Sequence, residues 1–303
     1  MTATTLRTRS RRRKLSRTQL ARRLVQTAFL GFILFASVRH FFFEEAGAAS
    51  IDALCPFGGV ETLWRWVTTG EYVPKIHPSS LVLMVGLLLA TLVSGAAFCG
   101  WICPFGTLQD ALTFLRERLR IPAIQVPERA DRWLRYGRFV TLGLILYMTI
   151  STVKLWFADY DPYRTIFGLG WLFEFNPAEQ WPAYAVALSI LAASFAIPRF
   201  WCKYTCPLGG LLSLVSHVSL LRIRRTEESC KSCALCSRPC PVGIAVEKAN
   251  PLVSTNCIGC LECVEACPRH STLEVVFMPK YWFEDLRGLA GRPAKVAKEG
   301  ESL

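Results

Sequence analysis

Two cysteine runs near the C-terminal end constrain this 303-residue chain more than any other feature. Both follow the pattern Cys-x2-Cys-x2-Cys-x3-Cys-Pro, and they occupy residues 230–241 and 257–268. In this spacing the first three cysteines of a run bind one [4Fe-4S] cluster, and the fourth binds the cluster of the other run. The pattern therefore predicts one cluster on Cys230, Cys233, Cys236 and Cys267, and a second on Cys257, Cys260, Cys263 and Cys240.

Zinc and disulfide bonds are the competing interpretations of these thiols. Zinc sites use two separated cysteine pairs for one ion, and three closely spaced cysteines with a fourth before proline fit that pattern poorly. Disulfides would require an oxidising compartment. We therefore expect an α+β, bacterial-type two-cluster ferredoxin domain over residues 226–278.

The rest of the chain combines apolar runs with a strong positive charge. Apolar residues make up 52% of the sequence, while its formal net charge is +12. The basic residues flank the apolar runs instead of covering a soluble domain, which argues against nucleic acid as a partner. Four runs of about membrane-spanning length predict an α-helical integral membrane protein with four transmembrane helices, at 24–43, 81–98, 139–157 and 182–201.

The distribution of charge predicts the orientation in the lipid bilayer. Residues 1–23 form a basic arm with nine Lys and Arg, and residues 104–138 contain seven Arg. The segments 44–80 and 158–181 together contain three Lys or Arg. Because cytoplasmic loops carry the excess of Lys and Arg, we expect a multi-pass protein of the bacterial inner membrane with both termini in the cytoplasm.

A second cysteine pattern, Cys-x3-Cys-Pro, occurs once in each half of the apolar region. It follows the second and the fourth apolar run, which predicts two parallel two-helix repeats over residues 24–120 and 121–225. The four thiols could hold a third iron–sulfur cluster or a zinc ion, act as a redox-active pair of dithiols, or simply pack. Because unpaired cysteines are usually retained for their reactivity, a metal or redox centre is favoured on Cys99, Cys103, Cys202 and Cys206. Cys55 has no thiol counterpart in the second half, and its role stays open.

With these motifs in view, residues 25–275 resemble the NapH/NosR-type family of polytopic membrane ferredoxins. That family includes the quinol dehydrogenase subunit of periplasmic nitrate reductase systems and the membrane half of the nitrous-oxide reductase regulator. The resemblance implies an electron-transfer protein of anaerobic or respiratory metabolism. It would pass electrons between the quinone pool, its iron–sulfur centres and a partner redox protein, as an electron-transfer or quinol dehydrogenase subunit of an oxidoreductase complex.

Two other functions remain as alternatives. One is a metal-reducing assembly or maturation factor that binds copper through the soft thiolates of the Cys-x3-Cys pairs. The other is a redox-sensing regulator. A quinol site would need a titratable group near the end of an apolar run, and the candidates are His40, His77, Asp159, Asp161 and Glu174. Residues 279–303 have no apolar period and are expected to form a loosely ordered tail.

Overall fold

A computed structural model describes residues 16–42, 54–70, 78–152, 157, 160–173, 177–249, 253–269 and 272–277. Most of the basic arm and the predicted tail lie outside these ranges, as do His77, Asp159 and Glu174.

Ten helices precede the second Cys-x3-Cys motif in the described residues: α1 (Arg17–Phe42), α2 (Pro56–Thr69), α3 (Pro78–Ser94), α4 (Ala97–Trp101), α5 (Pro104–Arg118), α6 (Glu128–Leu134), α7 (Gly137–Thr152), α8 (Pro162–Phe167), α9 (Gly170–Phe173) and α10 (Pro177–Ala196). A π-helical turn (Trp201–Thr205), α11 (Pro207–Val215) and a 3-10 turn (Ser216–Val218) follow. The C-terminal part contains β1 (Leu221–Arg225), a second 3-10 turn (Val246–Lys248), α12 (Glu262–Ala266) and β2 (Leu273–Phe277).

Proline explains where several of these helices begin. Helices α2, α5, α8 and α11 each start at a proline, and the residue before it is the N-cap. Proline suits this position because its fixed φ matches the helix and its missing N–H would have no intrahelical partner. Each Cys-x3-Cys-Pro motif therefore ends with a cysteine at the N-cap of a helix, Cys103 for α5 and Cys206 for α11.

Helices from the two halves of the chain pack against each other. Helix α2 lies against α3 and α7, while α11 also contacts α7 and α3. Helix α10 contacts α8 and α5, and α1 lies along α5. Aromatic and aliphatic side chains fill the contacts, with Phe57, Met84 and Ile145 in one buried cluster and Phe105 with Trp201 in another.

The prediction of four transmembrane helices is wrong. Among the described residues, Arg17–His40 is the one helical segment that is long and apolar enough to cross a membrane, judged by length and composition. The remaining apolar helices are shorter, at Ser80–Ser94, Gln180–Ala196 and Pro207–Val218. A span requires about 20 apolar residues.

Local backbone geometry explains why the apolar runs overstated the helix lengths. The run 81–98 is divided at Gly95, whose φ of 65° lies in the left-handed region, so α3 ends at Ser94 and α4 begins separately. The run 182–201 is divided in the same way, because Arg199 has a φ of 52° and the π-helical turn starts at Trp201. The predicted run 139–157 corresponds to α7, which has 16 residues. Two of these apolar runs therefore cover two separate structural elements each, and the third is longer than the helix that it contains.

The ferredoxin module contains a two-stranded antiparallel sheet. Leu221 of β1 lies opposite Phe277 of β2, and Arg225 lies opposite Leu273. Ile223, Val246 and Val253 pack beneath it together with the thiols of Cys236 and Cys263. Strand β1 lies just before residue 226, the predicted start of the module.

Helix α4 packs directly on the second cysteine run at Gly100. A Cβ added at this glycine would collide with the carbonyl oxygen of Ile258. The carbonyl oxygen of Gly100 itself accepts from Arg22 Nε at 2.9 Å and from Gln26 Nε2 at 3.0 Å. Next to it, Trp101 Nε1 donates to the carbonyl oxygen of Gly259 at 2.9 Å. This contact fixes the ferredoxin module against the helices.

We expect Gly100→Ala to lower the free energy of unfolding by about 1–3 kcal/mol, because the added methyl group must displace the backbone of the cysteine loop. Gly143→Ala is the matched control, since nothing lies within 4 Å of a Cβ built at Gly143 in α7. Alanine favours a helix over glycine, so the control should be no less stable than the wild type. Chemical unfolding measures both variants. Equal stability of Gly100→Ala and the wild type would contradict this tight packing.

Candidate functional site

The four cysteines predicted for the second cluster line one cavity. Cys240 reaches this cavity from the first run and meets the three thiols of the second run, Cys257, Cys260 and Cys263. The remaining lining is apolar, contributed by Val242, Ile244, Val246, Val253, Ile258 and Leu261. Within the described ranges, no three His, Cys, Asp or Glu side chains are grouped as ligands of a single ion. Four thiols around an apolar cavity are the donor set that a [4Fe-4S] cluster requires, so the residues present suit such a cluster.

The cysteines predicted for the first cluster are less closely assembled. Cys236 and Cys267 lie in the same apolar core, and Cys267 contributes to the raised pKa of Cys236, for which burial is the larger cause. Cys230 is half-buried and Cys233 is exposed. The structure thus brings together two of the four predicted ligands and leaves Cys233 at the surface.

Both cysteine runs have left-handed residues at the same two positions. The second residue after the first cysteine of each run has a positive φ, 48° at Ser232 and 62° at Gly259. The fourth residue after it also has a positive φ, 56° at Ala234 and 60° at Leu261. Left-handed residues turn successive N–H groups inward and create a concave surface that favours negative charge.

Backbone N–H groups accordingly point at three of the thiols. Ser232 N donates to Cys230 Sγ at 3.4 Å, and Gly259 N donates to Cys257 Sγ at 3.4 Å. Ile244 N donates to Cys240 Sγ at 3.3 Å. Hydrogen bonds to the sulfurs are one of the factors that set the potential of a bound iron–sulfur cluster.

Burial keeps several of these thiols protonated when no metal is bound. It raises the pKa of Cys260 to about 12, and it also raises the pKa of Cys263, with neighbouring cysteines adding to the effect. The pKa of Cys230 is instead lowered, chiefly by the N–H of Ser232. Since metals bind thiolates, binding at the second run must release protons.

The four cysteines of the Cys-x3-Cys motifs also converge. Cys99 lies in α4 and Cys202 in the π-helical turn, while Cys103 and Cys206 are the N-caps of α5 and α11. All four are buried or half-buried, and the pKa of Cys206 is raised first by burial and then by the other three thiols. We refer to Cys99, Cys103, Cys202 and Cys206 as the thiol quartet.

Polar groups contact two members of the thiol quartet. Gln109 Nε2 donates to Cys202 Sγ at 3.1 Å, and Gly209 N donates to Cys206 Sγ at 3.3 Å. Burial raises the pKa of Cys202 to about 11, with the charge of Arg199 opposing that shift. The quartet therefore has both donors and a nearby positive charge, which suit thiolates that bind a metal or change redox state.

A buried ionic network lies beside the thiol quartet. Arg199 is fully buried and donates to both carboxylate oxygens of Asp110, at 2.7 and 2.6 Å, and to the carbonyl oxygen of Cys99 at 2.9 Å. Arg22 of α1 binds the same carboxylate at 2.8 Å and also pairs with Glu262 of α12. Burial opposes ionisation of Asp110, but the two guanidinium groups hold its pKa below the ordinary value. The network joins α1, α5 and the ferredoxin module.

Sequence reasoning missed this network. An arginine at the end of an apolar run, such as Arg199, and an acid within the arginine-rich stretch 104–138, such as Asp110, were the available signals.

Glu61 of α2 is a second functional candidate that sequence reasoning missed. Its side chain is 2% exposed and accepts a hydrogen bond from Thr149 Oγ1 at 2.9 Å. Burial raises its pKa to about 7, and Asp161 adds to the rise.

Of the predicted quinol-site candidates within the described ranges, Asp161 is the N-cap of α8 and His40 lies in the last turn of α1. Cys55 is the N-cap of α2 and packs beside the cluster of Phe57 and Met84.

Comparison with family models identifies three iron–sulfur regions. A model described as a 4Fe-4S binding domain matches the chain twice, at residues 76–122 and 180–226. A model described as a 4Fe-4S dicluster domain matches residues 222–268. The double match covers the two Cys-x3-Cys-Pro motifs, and the dicluster match covers both cysteine runs. No solved structure matches the chain.

Three relatives represent the similar proteins. YccM of Escherichia coli (strain K12), whose name gives electron transport as an inferred role, is 31% identical over 75% of this chain and 64% of its own length. Protein NirI of Paracoccus denitrificans is 30% identical over 66% of this chain and 28% of its own. Ferredoxin-type protein NapH of Haemophilus influenzae is 26% identical over 66% of this chain and 70% of its own. The chain thus spans less than two thirds of YccM and of NirI.

The doubled Cys-x3-Cys-Pro motif, the two cysteine runs and these matches agree with one another. The chain belongs to the NapH/NosR-type family of ferredoxin-type, iron–sulfur electron-transport proteins.

Proposed function

We propose that the protein carries electrons between the quinone pool and a partner redox enzyme of anaerobic or respiratory metabolism. One observation carries this proposal: Cys99 of the thiol quartet packs in the same buried cluster as Cys260 and Cys240 of the second-cluster cavity. Leu212 and Ile258 belong to the same buried cluster. Two groups of redox-capable thiols in one water-excluding core are what a path for electrons requires.

The proposed ligands follow the sequence assignment. Cys257, Cys260, Cys263 and Cys240 would hold one [4Fe-4S] cluster, and Cys230, Cys233, Cys236 and Cys267 would hold the other. The thiol quartet would hold a third metal or redox centre. When bound, such clusters store and release one electron at a time, whereas a quinol gives up two.

The surrounding residues would stabilise and insulate these centres. The apolar lining of the second-cluster cavity excludes water, and backbone N–H groups stabilise negative charge on Cys240 and Cys257. Arg199 offsets negative charge on the quartet, since it favours the ionised forms of Cys99 and Cys202. These are the factors by which a protein sets the potential of such a centre.

We further propose that α1 attaches the protein to the bacterial inner membrane. Its apolar side chains point outward, with Leu24, Phe32 and Phe35 each more than half exposed. Its N-terminal end contacts the ferredoxin module, where Gln19 Nε2 donates to the carbonyl oxygen of Cys260 at 2.9 Å. Because basic flanks of a span stay in the cytoplasm, the ferredoxin module would lie on the cytoplasmic face.

Iron analysis of anaerobically purified protein tests the cluster assignment. We expect about eight irons per chain from the two runs, and about twelve if the thiol quartet holds a third cluster. Cys260→Ala should remove about four irons, because a cubane loses one of its four thiolates. Cys55→Ala is the control and should retain all of them. Fewer than about four irons in the wild-type protein would rule out the two-cluster assignment.

Variants of the thiol quartet identify its centre. If Cys99→Ala/Cys202→Ala lowers the iron content and leaves the signals of the ferredoxin clusters, the quartet holds iron. Loss of bound copper in the same variant, with no loss of iron, would favour metal reduction for assembly instead.

Reduction by quinol tests the function itself. A quinol analogue added to reconstituted protein should generate the electron paramagnetic resonance signal of reduced clusters. Clusters that dithionite reduces and quinol does not would contradict the quinone-linked function.

A further inference from the structure

A second cavity, of about 190 Å³, lies where the helices meet the ferredoxin module. The end of α3, the 3-10 turn after α11, β1 and the second cysteine run surround it. Its lining includes Cys257, Trp101 and Arg222, together with Ser94, Ser216 and Ser219. We refer to this space as the junction cavity.

One wall of the junction cavity can accept hydrogen bonds. Ser94 Oγ donates to the carbonyl oxygen of Ala90 at 2.9 Å, Ser216 Oγ to that of Leu212 at 2.6 Å, and Ser219 Oγ to that of Ser216 at 2.9 Å. A hydroxyl that donates its proton to the backbone still has oxygen lone pairs that can accept. These three hydroxyls can therefore receive hydrogen bonds from the O–H groups of a ligand.

The lining of the junction cavity also offers a donor. Arg222 Nη2 binds the carbonyl oxygen of Val253 at 2.9 Å, which holds the guanidinium group at the cavity. A guanidinium group has five N–H donors, so one backbone contact leaves capacity for a ligand carbonyl. A ligand that alternates between hydroxyl and carbonyl forms finds partners for both.

The edge of the junction cavity includes exposed apolar side chains. Among its lining residues, Val275 of β2 is 49% exposed and Leu221 of β1 is 37% exposed. Val93 and Val218, which are 48% and 67% exposed, each stand one residue before a lining serine. An exposed apolar rim around a cavity with a few polar groups is typical of a site for an apolar ligand with a polar head.

The junction cavity also adjoins the proposed second cluster. Cys257 lines both the junction cavity and the cavity of Cys240, Cys260 and Cys263. Val253 and Leu261 are shared by the two linings as well. A ligand in the junction cavity would thus contact a residue proposed to bind iron, which is the proximity that electron transfer needs.

We propose that the junction cavity binds the headgroup of a quinone or quinol, an inference that rests on the proposed quinone-linked function. One quinol would give two electrons, one at a time, to two oxidised [4Fe-4S] clusters, and each cluster would gain one. The two phenolic protons would pass to water at the open side of the cavity, and the product is the quinone. Electrons and protons balance with no further reactant.

Photolabelling with an azido-quinone tests the site without relying on turnover. The anaerobically purified, cluster-loaded protein in detergent is irradiated with the probe, and labelled peptides are mapped by mass spectrometry. We expect label in segments 94–101, 216–223 and 253–261, and we expect excess unlabelled quinone to prevent it. Competable label confined to other segments would overturn the proposal.

Two tryptophan variants provide a matched comparison. Thr255 lines the junction cavity, and Thr255→Trp should obstruct it and reduce labelling about tenfold or more, which corresponds to a loss of about 1.4 kcal/mol of binding. Thr226, which is also half-buried in the module, lies outside the lining, so Thr226→Trp should label like the wild type. Iron content shows whether each variant is folded and loaded. Undiminished labelling of a loaded Thr255→Trp variant would contradict the site.

Cluster reduction in the same samples separates this inference from the proposed function. If quinol reduces the clusters but the label lies outside the junction cavity, the quinone-linked function is supported and the junction cavity is excluded as the binding site. If unlabelled quinone competes with labelling in the cavity but quinol cannot reduce the clusters, the binding site is supported and electron transfer from quinol is excluded.

Discussion

Replacing Asp110 by asparagine should destabilise the protein by about 3–5 kcal/mol, the largest effect we expect from a single substitution outside the cysteines. The carboxylate of Asp110 pairs with Arg22 and Arg199, whose side chains are 4% and 0% exposed. Without it, two buried guanidinium groups lose their shared counter-charge while remaining out of water. Chemical unfolding at fixed pH and ionic strength measures the change.

Glu128→Gln is the control for the Asp110 substitution. Glu128 pairs with Lys248 at 3.5 Å, and both side chains are well exposed, so the loss should be at most about 1 kcal/mol. An Asp110→Asn variant that unfolds within about 0.5 kcal/mol of the wild type would show that the buried network does not hold the helices and module together.

The second large effect concerns pH. The pKa of Glu61 rises from 4.5 to about 7 on folding, so between these values the native state keeps a proton that the unfolded state has lost. Stability therefore falls as pH rises through this window, by about 3 kcal/mol in total, and is constant above it. Glu61→Gln should remove this loss, because glutamine keeps a neutral hydrogen-bonding group at all pH values.

The surroundings of Glu61 limit what else could titrate there. Arg65 lies one turn further along α2, and the charge of Asp161 adds to the raised pKa of Glu61. Helix α3, which packs against α2, contains no ionisable residue. The measurement is the difference in unfolding free energy between pH 5 and pH 8, for the wild type and for Glu61→Gln. Glu117→Gln, at an exposed position of α5, should keep the wild-type difference. If Glu61→Gln shows the same difference in unfolding free energy between pH 5 and pH 8 as the wild type, the pH dependence arises from other groups.

The sequence predicted which thiols lie near one another better than it predicted the lengths of the helices. Cysteine spacing is a local pattern, so a few residues of sequence are enough to predict a set of ligands. The repeated Cys-x3-Cys-Pro motif indicated that four thiols would lie together, namely Cys99, Cys103, Cys202 and Cys206. Helix ends depended on single backbone conformations. The left-handed φ values of Gly95 and Arg199 divide runs that look continuous in hydropathy.

The ionic network was hidden for a different reason. The network combines residues from distant parts of the chain, namely Arg22, Asp110 and Glu262. Each of these charges stabilises the fold only because it lies beside the others. No local pattern distinguishes such residues from solvated charges. Glu61 likewise becomes unusual only because α2 and α7 enclose it.

The position of Arg22 couples the second cysteine run to the helices. This one side chain binds the helices through Asp110 and the second cysteine run through Glu262, which stands between Cys260 and Cys263. Because one guanidinium group holds both parts, any displacement of Glu262 with its loop would weaken the contact between the ferredoxin module and the helices.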